Sequence, residues 1–196
     1  MAANPVYGLV LAGGQSRRMG QDKALLLRDG RSQLAHMVDL LGNAVDRVYV
    51  SARREQADDP ERSQYELIID SFEDMGPIAG VLSAMQQHPQ ADWLVVACDL
   101  PNIDEATLEF LLLHRSGEQP FTAFRSSHDD LPEPLCAVYA SGSDGLLMEF
   151  VEDGIVCPRK MLIRSDTLLL SQPNPKALDN VNTPDDLADS VLEAAS

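Results

Sequence analysis

Residues 6–23 read VYGLVLAGGQSRRMGQDK. Residues 6–12 are apolar with no alternation, the pattern of a strand buried on both faces. They run directly into Gly13 and Gly14, and Gly20 follows. Glycine relaxes the steric limits on φ and ψ, so the backbone can curl and present consecutive N–H groups to an anion. Arg17, Arg18 and Lys23 add positive charge to the same stretch. A flexible glycine turn with solvated basic residues is the competing reading. It leaves the preceding buried strand and the gathering of cations unexplained.

Two familiar phosphate loops fail on spacing. A Walker A loop ends in Gly-Lys followed by Ser or Thr, but Lys23 follows Asp22 and precedes Ala24, which has no hydroxyl for magnesium. The dinucleotide fingerprint G-x-G-x-x-G is absent from this loop. A phosphate cradle of another kind is expected.

Outward from this stretch, helix and strand patterns alternate. Helical spacing places Leu34, Met37, Val38 and Leu41 on one face of residues 32–43. Residues 47–51 and 65–69 are short β-rich runs, the second closed by Asp70. Pro77 opens a helix over residues 78–87. The run WLVVA at 93–97 reads as a central parallel strand, followed by Asp99. Asp104 caps a helix over 105–115. Strands are expected at 121–124, 135–139 and 167–170, a polar loop at 125–134, and helices at 143–151 and 156–164. Thr183-Pro184-Asp185-Asp186 is a helix start with acids at the positive dipole end. The alternation predicts an α/β fold: a three-layer αβα sandwich with a Rossmann-like, mostly parallel sheet. Ligands of such sheets bind beyond the carboxyl ends of the strands. Gly13-Gly14, Asp70 and Asp99 all follow strand ends, so they are expected on one rim.

A chain of 196 residues is read as one domain, residues 1–196. Its net charge of −16 repels phosphate backbones, which argues against general nucleic-acid or anionic-membrane binding. Cys98, Cys136 and Cys157 are odd in number and widely spaced, with no CxxC, so neither a disulfide framework nor a zinc knuckle is expected. The opening residues lack the basic segment of a signal peptide, and no apolar run approaches a membrane span. A cytoplasmic enzyme or binding protein is the expectation.

LAGGQSRRMGQDKALL at 11–26 resembles the signature of the small nucleotidyltransferases, and in particular of the molybdenum cofactor guanylyltransferases. The resemblance continues through IIDSFEDMGPIAGVLSAM at 68–85, VACDLP at 96–101, EPLCAVY at 133–139 and NVNTPDDL at 180–187. Relatives that use CTP tend to carry LAAG where this chain has LAGG. The resemblance therefore implies a nucleotide-diphospho-sugar transferase type of fold, GTP as donor, molybdopterin as acceptor and Mg2+ as cofactor. Leu11, Ala12, Gly13 and Gly14 then match backbone that touches guanine and phosphates. Arg18 and Lys23 match triphosphate ligands, Asp70 a guanosine-binding position, and Asp99 the magnesium ligand. Arg18, Lys23 and Asp99 are the implied catalytic set. The chain departs from the family at Ser51, a nucleoside-binding position where the family often has asparagine. Serine is shorter and lacks the paired amide donor and carbonyl acceptor.

The implied reaction is transfer of GMP from GTP to the phosphate of molybdopterin, giving molybdopterin guanine dinucleotide and pyrophosphate. Transient contacts with other cofactor-biosynthesis proteins or acceptor enzymes are a further expectation. Two rivals stay open: a cytidylyltransferase of this fold acting on molybdopterin or a sugar or polyol phosphate, and a non-catalytic nucleotide-binding partner domain. Asn180 and Asn182 are expected near the metal site, and Arg159 and Lys160 are candidates for the acceptor phosphate. His36, His88, His114 and His128 form no metal motif and read as surface residues. Ser16 has no GxSxG context, so no covalent nucleophile is indicated.

Overall fold

The computed structural model describes residues 4–14, 22–181, 186 and 190–192. The apolar opening run forms β1 (Val6–Leu11), with Leu9 and Val10 both fully buried though they face opposite sides. Such a strand needs cover on both faces, and helices supply it. In chain order the further elements are β2 (Leu27–Arg28), β3 (Arg31–Ser32), α1 (Gln33–Gly42), β4 (Arg47–Ala52), β5 (Leu67–Ile69), α2 (Pro77–Gln87), β6 (Asp92–Ala97), α3 (Glu105–Leu113), β7 (Phe121–Arg125), β8 (Pro132–Tyr139), α4 (Asp144–Glu152), α5 (Pro158–Ile163) and β9 (Thr167–Leu170).

The main sheet has strand order β5-β4-β1-β6-β8-β7-β9, and β8 alone runs against the rest. Leu9, Tyr49, Trp93 and Val95 pack with α2, α4 and α5 on one face. Val10, Val50, Leu94 and Val96 pack with α1 and α3 on the other. This is the expected three-layer sandwich. Register then fixes the rim: Leu11 pairs with Ser51 on β4 and with Ala97 on β6, and Ile69 pairs with Ala52. The residues just beyond these pairs, among them Ala12, Asp70 and Asp99, are therefore level.

Local signals account for most boundaries. The Ser32 side chain accepts from the Ala35 N–H and starts α1, and Asp104 accepts from Thr107 to start α3. Gly76, with φ of 62°, takes a conformation that side chains disfavour and delivers Pro77 to the first turn of α2.

The structure differs from the sequence expectation in several places. The strand expected at 65–69 starts at Leu67, because Tyr65 closes a 3-10 turn over Arg62–Gln64. The helix expected to reach Arg115 ends at Leu113, with His114 as its cap. The loop expected over 125–134 is shorter, because β8 begins at Pro132 and pairs there with Arg125. A register shift between Ala123 and Phe124 permits this pairing, and proline is tolerated as the first residue of a strand. Helix α5 starts at Pro158 rather than at residue 156. The β2–β3 hairpin was not expected at all; Asp29 and Gly30 turn it with φ of 51° and 76°. The helix start at Thr183 lies outside the described residues, apart from Asp186. Among the described residues, no helix is long and apolar enough to cross a membrane.

Candidate active site

Where β1, β4, β5 and β6 end, the rim opens into a cleft of about 770 Å3. Leu11, Ala12, Gly13, Gly14, Lys23, Ser51, Asp70 and Asp99 all line it. The structure thus brings these nucleotide- and metal-binding candidates together on one rim. Arg18, with Ser16 and Arg17, lies outside the described residues.

The backbone after β1 is tied to both neighbouring strands. The Ala12 N–H donates to the Ser51 carbonyl at 3.2 Å, and the Cys98 N–H donates to the Leu11 carbonyl at 3.3 Å. The Gly13 carbonyl accepts from Arg53 Nε at 2.7 Å. A Cβ at Gly13 would lie in ordinary contact, 3.4 Å, with Asp70 Oδ2, which places Gly13 and Asp70 side by side in this corner.

Lys23 opens a 3-10 turn, Lys23–Leu25, capped by Asp22, whose Oδ1 accepts from the Ala24 N–H at 3.0 Å. Its Nζ reaches Asp99 Oδ2 at 3.1 Å, and the two side chains stay 17% and 22% exposed. That exposure leaves both groups open to the cleft. The Asp99 carbonyl accepts from the Val181 N–H at 3.0 Å, so the edge carrying Asn180 does run beside Asp99. Asn182 lies outside the described residues.

At the other end of the cleft, Ser51 Oγ donates to Asp70 Oδ1 at 2.8 Å. Burial pushes the Asp70 carboxyl above the ordinary aspartate range, while the Ser51 hydrogen bond and Arg53 draw it back. Helix α2 crosses close to this pair. A Cβ at Gly80 would sit 3.0 Å from both Ser51 Cβ and Leu11 Cδ2, and closer still to Ser51 Oγ.

Sequence reading missed two arginines that shape the cleft. Arg53 holds Gly13, and its Nη1 also pairs with Glu55. Arg62 is 1% exposed and bonds to both Ala12 and Asp22. Neither belongs to a motif, and their partners at the cleft, Gly13, Ala12 and Asp22, lie 40 or more residues away in the chain. The candidates Arg159 and Lys160 do not line the cleft. Arg159 is held instead by Asp129 and Glu133, each at 2.9 Å. None of the histidines lines it either; His36 and His88 are half-buried rather than on the surface, His88 among Tyr7, Tyr49 and Trp93.

Among the described residues there is no group of three or more His, Cys, Asp or Glu side chains suited to a metal. A zinc-type cage is therefore not built here. Magnesium asks for less, since it keeps several waters and leans on one or two carboxylates plus substrate phosphates. The single carboxylate of Asp99, facing a cleft beside an ammonium group, fits that donor set.

Residues 8–165 match the family model described as the MobA-like NTP transferase domain. The chain is 34% identical over 186 residues to a molybdenum cofactor biosynthesis bifunctional protein of Synechocystis sp., covering 95% of this chain and 54% of that protein. It thus spans about half the length of that relative. It is 32% identical to a probable molybdenum cofactor guanylyltransferase of Nostoc sp., covering 94% of this chain and 90% of the relative. The fold is similar to that of molybdopterin-guanine dinucleotide biosynthesis protein A from Archaeoglobus fulgidus, with a TM-score of 0.78, 24% identity, and coverage of 93% of this chain and 95% of that one.

Proposed function

The chain belongs to the MobA-like NTP transferase family, and from that premise we propose that it transfers GMP from GTP to the phosphate of molybdopterin. The products are molybdopterin guanine dinucleotide and pyrophosphate. One observation carries the reading. Lys23 and Asp99 meet at 3.1 Å inside a cleft whose other wall is the glycine-bearing backbone after β1. A cation for phosphate and a carboxylate for a divalent metal are what nucleotidyl transfer requires at one point. The probable molybdenum cofactor guanylyltransferase of Nostoc sp., similar over most of both chains, supports the choice of donor and acceptor.

In the proposed reaction an oxygen of the acceptor phosphate attacks the α-phosphorus of GTP in line. The bond from that phosphorus to the bridging oxygen breaks, and pyrophosphate leaves with the electron pair. Gly13, Ser51 and Asp70 hold the guanosine end, and the backbone of Leu11–Gly14 faces the phosphates. Lys23, with Arg18, neutralises charge that grows on the departing pyrophosphate. Asp99 would hold Mg2+, which when bound polarises the α-phosphoryl oxygen. Little covalent work falls to the protein, since fixed geometry and charge supply most of the acceleration. We place the reaction in the cytoplasm, where the nucleotide donor is available.

The test is pyrophosphate release from each of the four nucleoside triphosphates, with Mg2+ and molybdopterin present. Release from GTP alone is expected. Release from CTP instead would replace the guanylyl reading with a cytidylyl one. Tight GTP binding without any release would make the domain a nucleotide sensor.

A further inference from the structure

We infer that Arg62 is a positioning residue for the triphosphate, acting through Asp22 and Lys23; the inference rests on the function proposed above. Arg62 is 1% exposed, and burying a guanidinium is costly unless all its hydrogen bonds are met. Here they are directed to chosen points. Nη2 and Nε donate to the Ala12 carbonyl at 2.8 and 3.3 Å. Nη2 also donates to Asp22 Oδ2 at 2.6 Å, and Nη1 faces Asp59 Oδ1 at 3.3 Å. Asp59 Oδ1 in turn accepts from the Arg62 N–H at 3.0 Å, which braces the arginine against its own turn.

Ala12 stands where β1 gives way to the glycines, and Asp22 stands immediately before Lys23. One planar fork therefore joins the entry to the nucleotide-facing segment with its exit. Asp22 divides its two oxygens between Arg62 and the Ala24 N–H, so it passes the position of Arg62 to the turn that carries Lys23. The Lys23 side chain is long and flexible, and a fixed base removes part of the freedom it would otherwise lose on binding phosphate. Arg62 bonds to Ala12, Asp22 and Asp59 rather than to Ser51, Asp70 or Asp99. Its direct hold is on Ala12 and on the turn that carries Lys23, so its greater effect falls at the phosphate end.

The two ends of the ligand provide the test. Titration calorimetry of the full chain would measure Mg·GTP and guanosine separately. Lysine keeps the charge but not the fork. Arg62→Lys is expected to weaken Mg·GTP about tenfold and guanosine less than about twofold, because only preorganisation at the phosphates is lost. Asp22→Asn should show the same selective loss, and it carries the test if Arg62→Lys does not fold. Equal weakening of both ligands, or of neither, in the folded variant would overturn the positioning role. Wild-type protein that binds guanosine as tightly as Mg·GTP would instead overturn the phosphate-site reading, and the role of Arg62 with it.

Discussion

Gly80→Ala adds one methyl group at the point where α2 crosses the ends of β1 and β4. The new Cβ would lie 3.0 Å from Ser51 Cβ and 3.0 Å from Leu11 Cδ2. Its neighbours include two strands of a close-packed sheet, so the helix must back away or Ser51 must turn. Overpacking of this kind costs roughly 1–3 kcal/mol. Alanine returns about 1 kcal/mol through its higher helix propensity. A net loss on the order of 1 kcal/mol is expected, lowering Tm by about 2–4 °C for a chain of this size. Gly145→Ala is the matched control, because it lies in α4 with nothing within 4 Å of the added Cβ. There only the propensity gain remains, and Tm should rise by about 1–3 °C. Thermal and urea unfolding of both variants would measure the difference. Displacement of Ser51 should also break its bond to Asp70 and weaken nucleoside binding. If Gly80→Ala stabilises the protein as Gly145→Ala does, the close crossing of α2 over Ser51 is refuted.

Lys23→Ala should lower kcat/KM on the order of a hundredfold, as removal of one transition-state donor does; a wild-type rate with saturating Mg·GTP would remove Lys23 from the mechanism. Asp99→Ala should lose both rate and magnesium dependence, and a variant activated normally by magnesium would exclude Asp99 as the metal ligand. Asp70→Asn should bind GTP more weakly yet unfold at a higher temperature at pH 7. Burial raises the folded-state pKa of Asp70, so the folded protein binds this proton more tightly than the unfolded chain. Stability from this group is therefore present below the ordinary aspartate value and is lost as pH rises through the raised one. Asparagine has no such proton to lose, so the Tm gap between variant and wild type should close as pH falls through that window. A gap that persists unchanged at low pH would show that burial of the Asp70 charge is not its cause.

Much of the fold was legible because its signals are local. The apolar runs of β1 and β6 need only a reading of consecutive residues, and Ser32, Pro77 and Asp104 mark helix starts through groups within three positions. The rim followed from the rule that parallel strands end together. What stayed hidden depends on contacts distant in sequence. Arg62 sits 50 residues from Ala12 and in a stretch without periodicity, so nothing local distinguishes it from a solvated arginine. From sequence Arg159 is equally a candidate for the acceptor phosphate and a solvated residue, because Asp129 and Glu133, 30 and 26 residues away, are invisible from its helix. The start of β8 was obscured by Pro132 and Pro134, which read as loop until β7 is seen beside them.

Because β8 alone opposes its neighbours, the stretch leading into it approaches the ligand rim from outside the sheet, whereas every parallel strand approaches from within. Leu135 of β8 lines the same cleft as the glycine-bearing backbone, yet it arrives there on the strand that pairs with both β6 and β7. The cleft is thus walled from two chain directions: β1, β4, β5 and β6 bring Leu11, Ser51, Asp70 and Asp99 to the rim at their ends, and the reversed strand brings Leu135 there near its start.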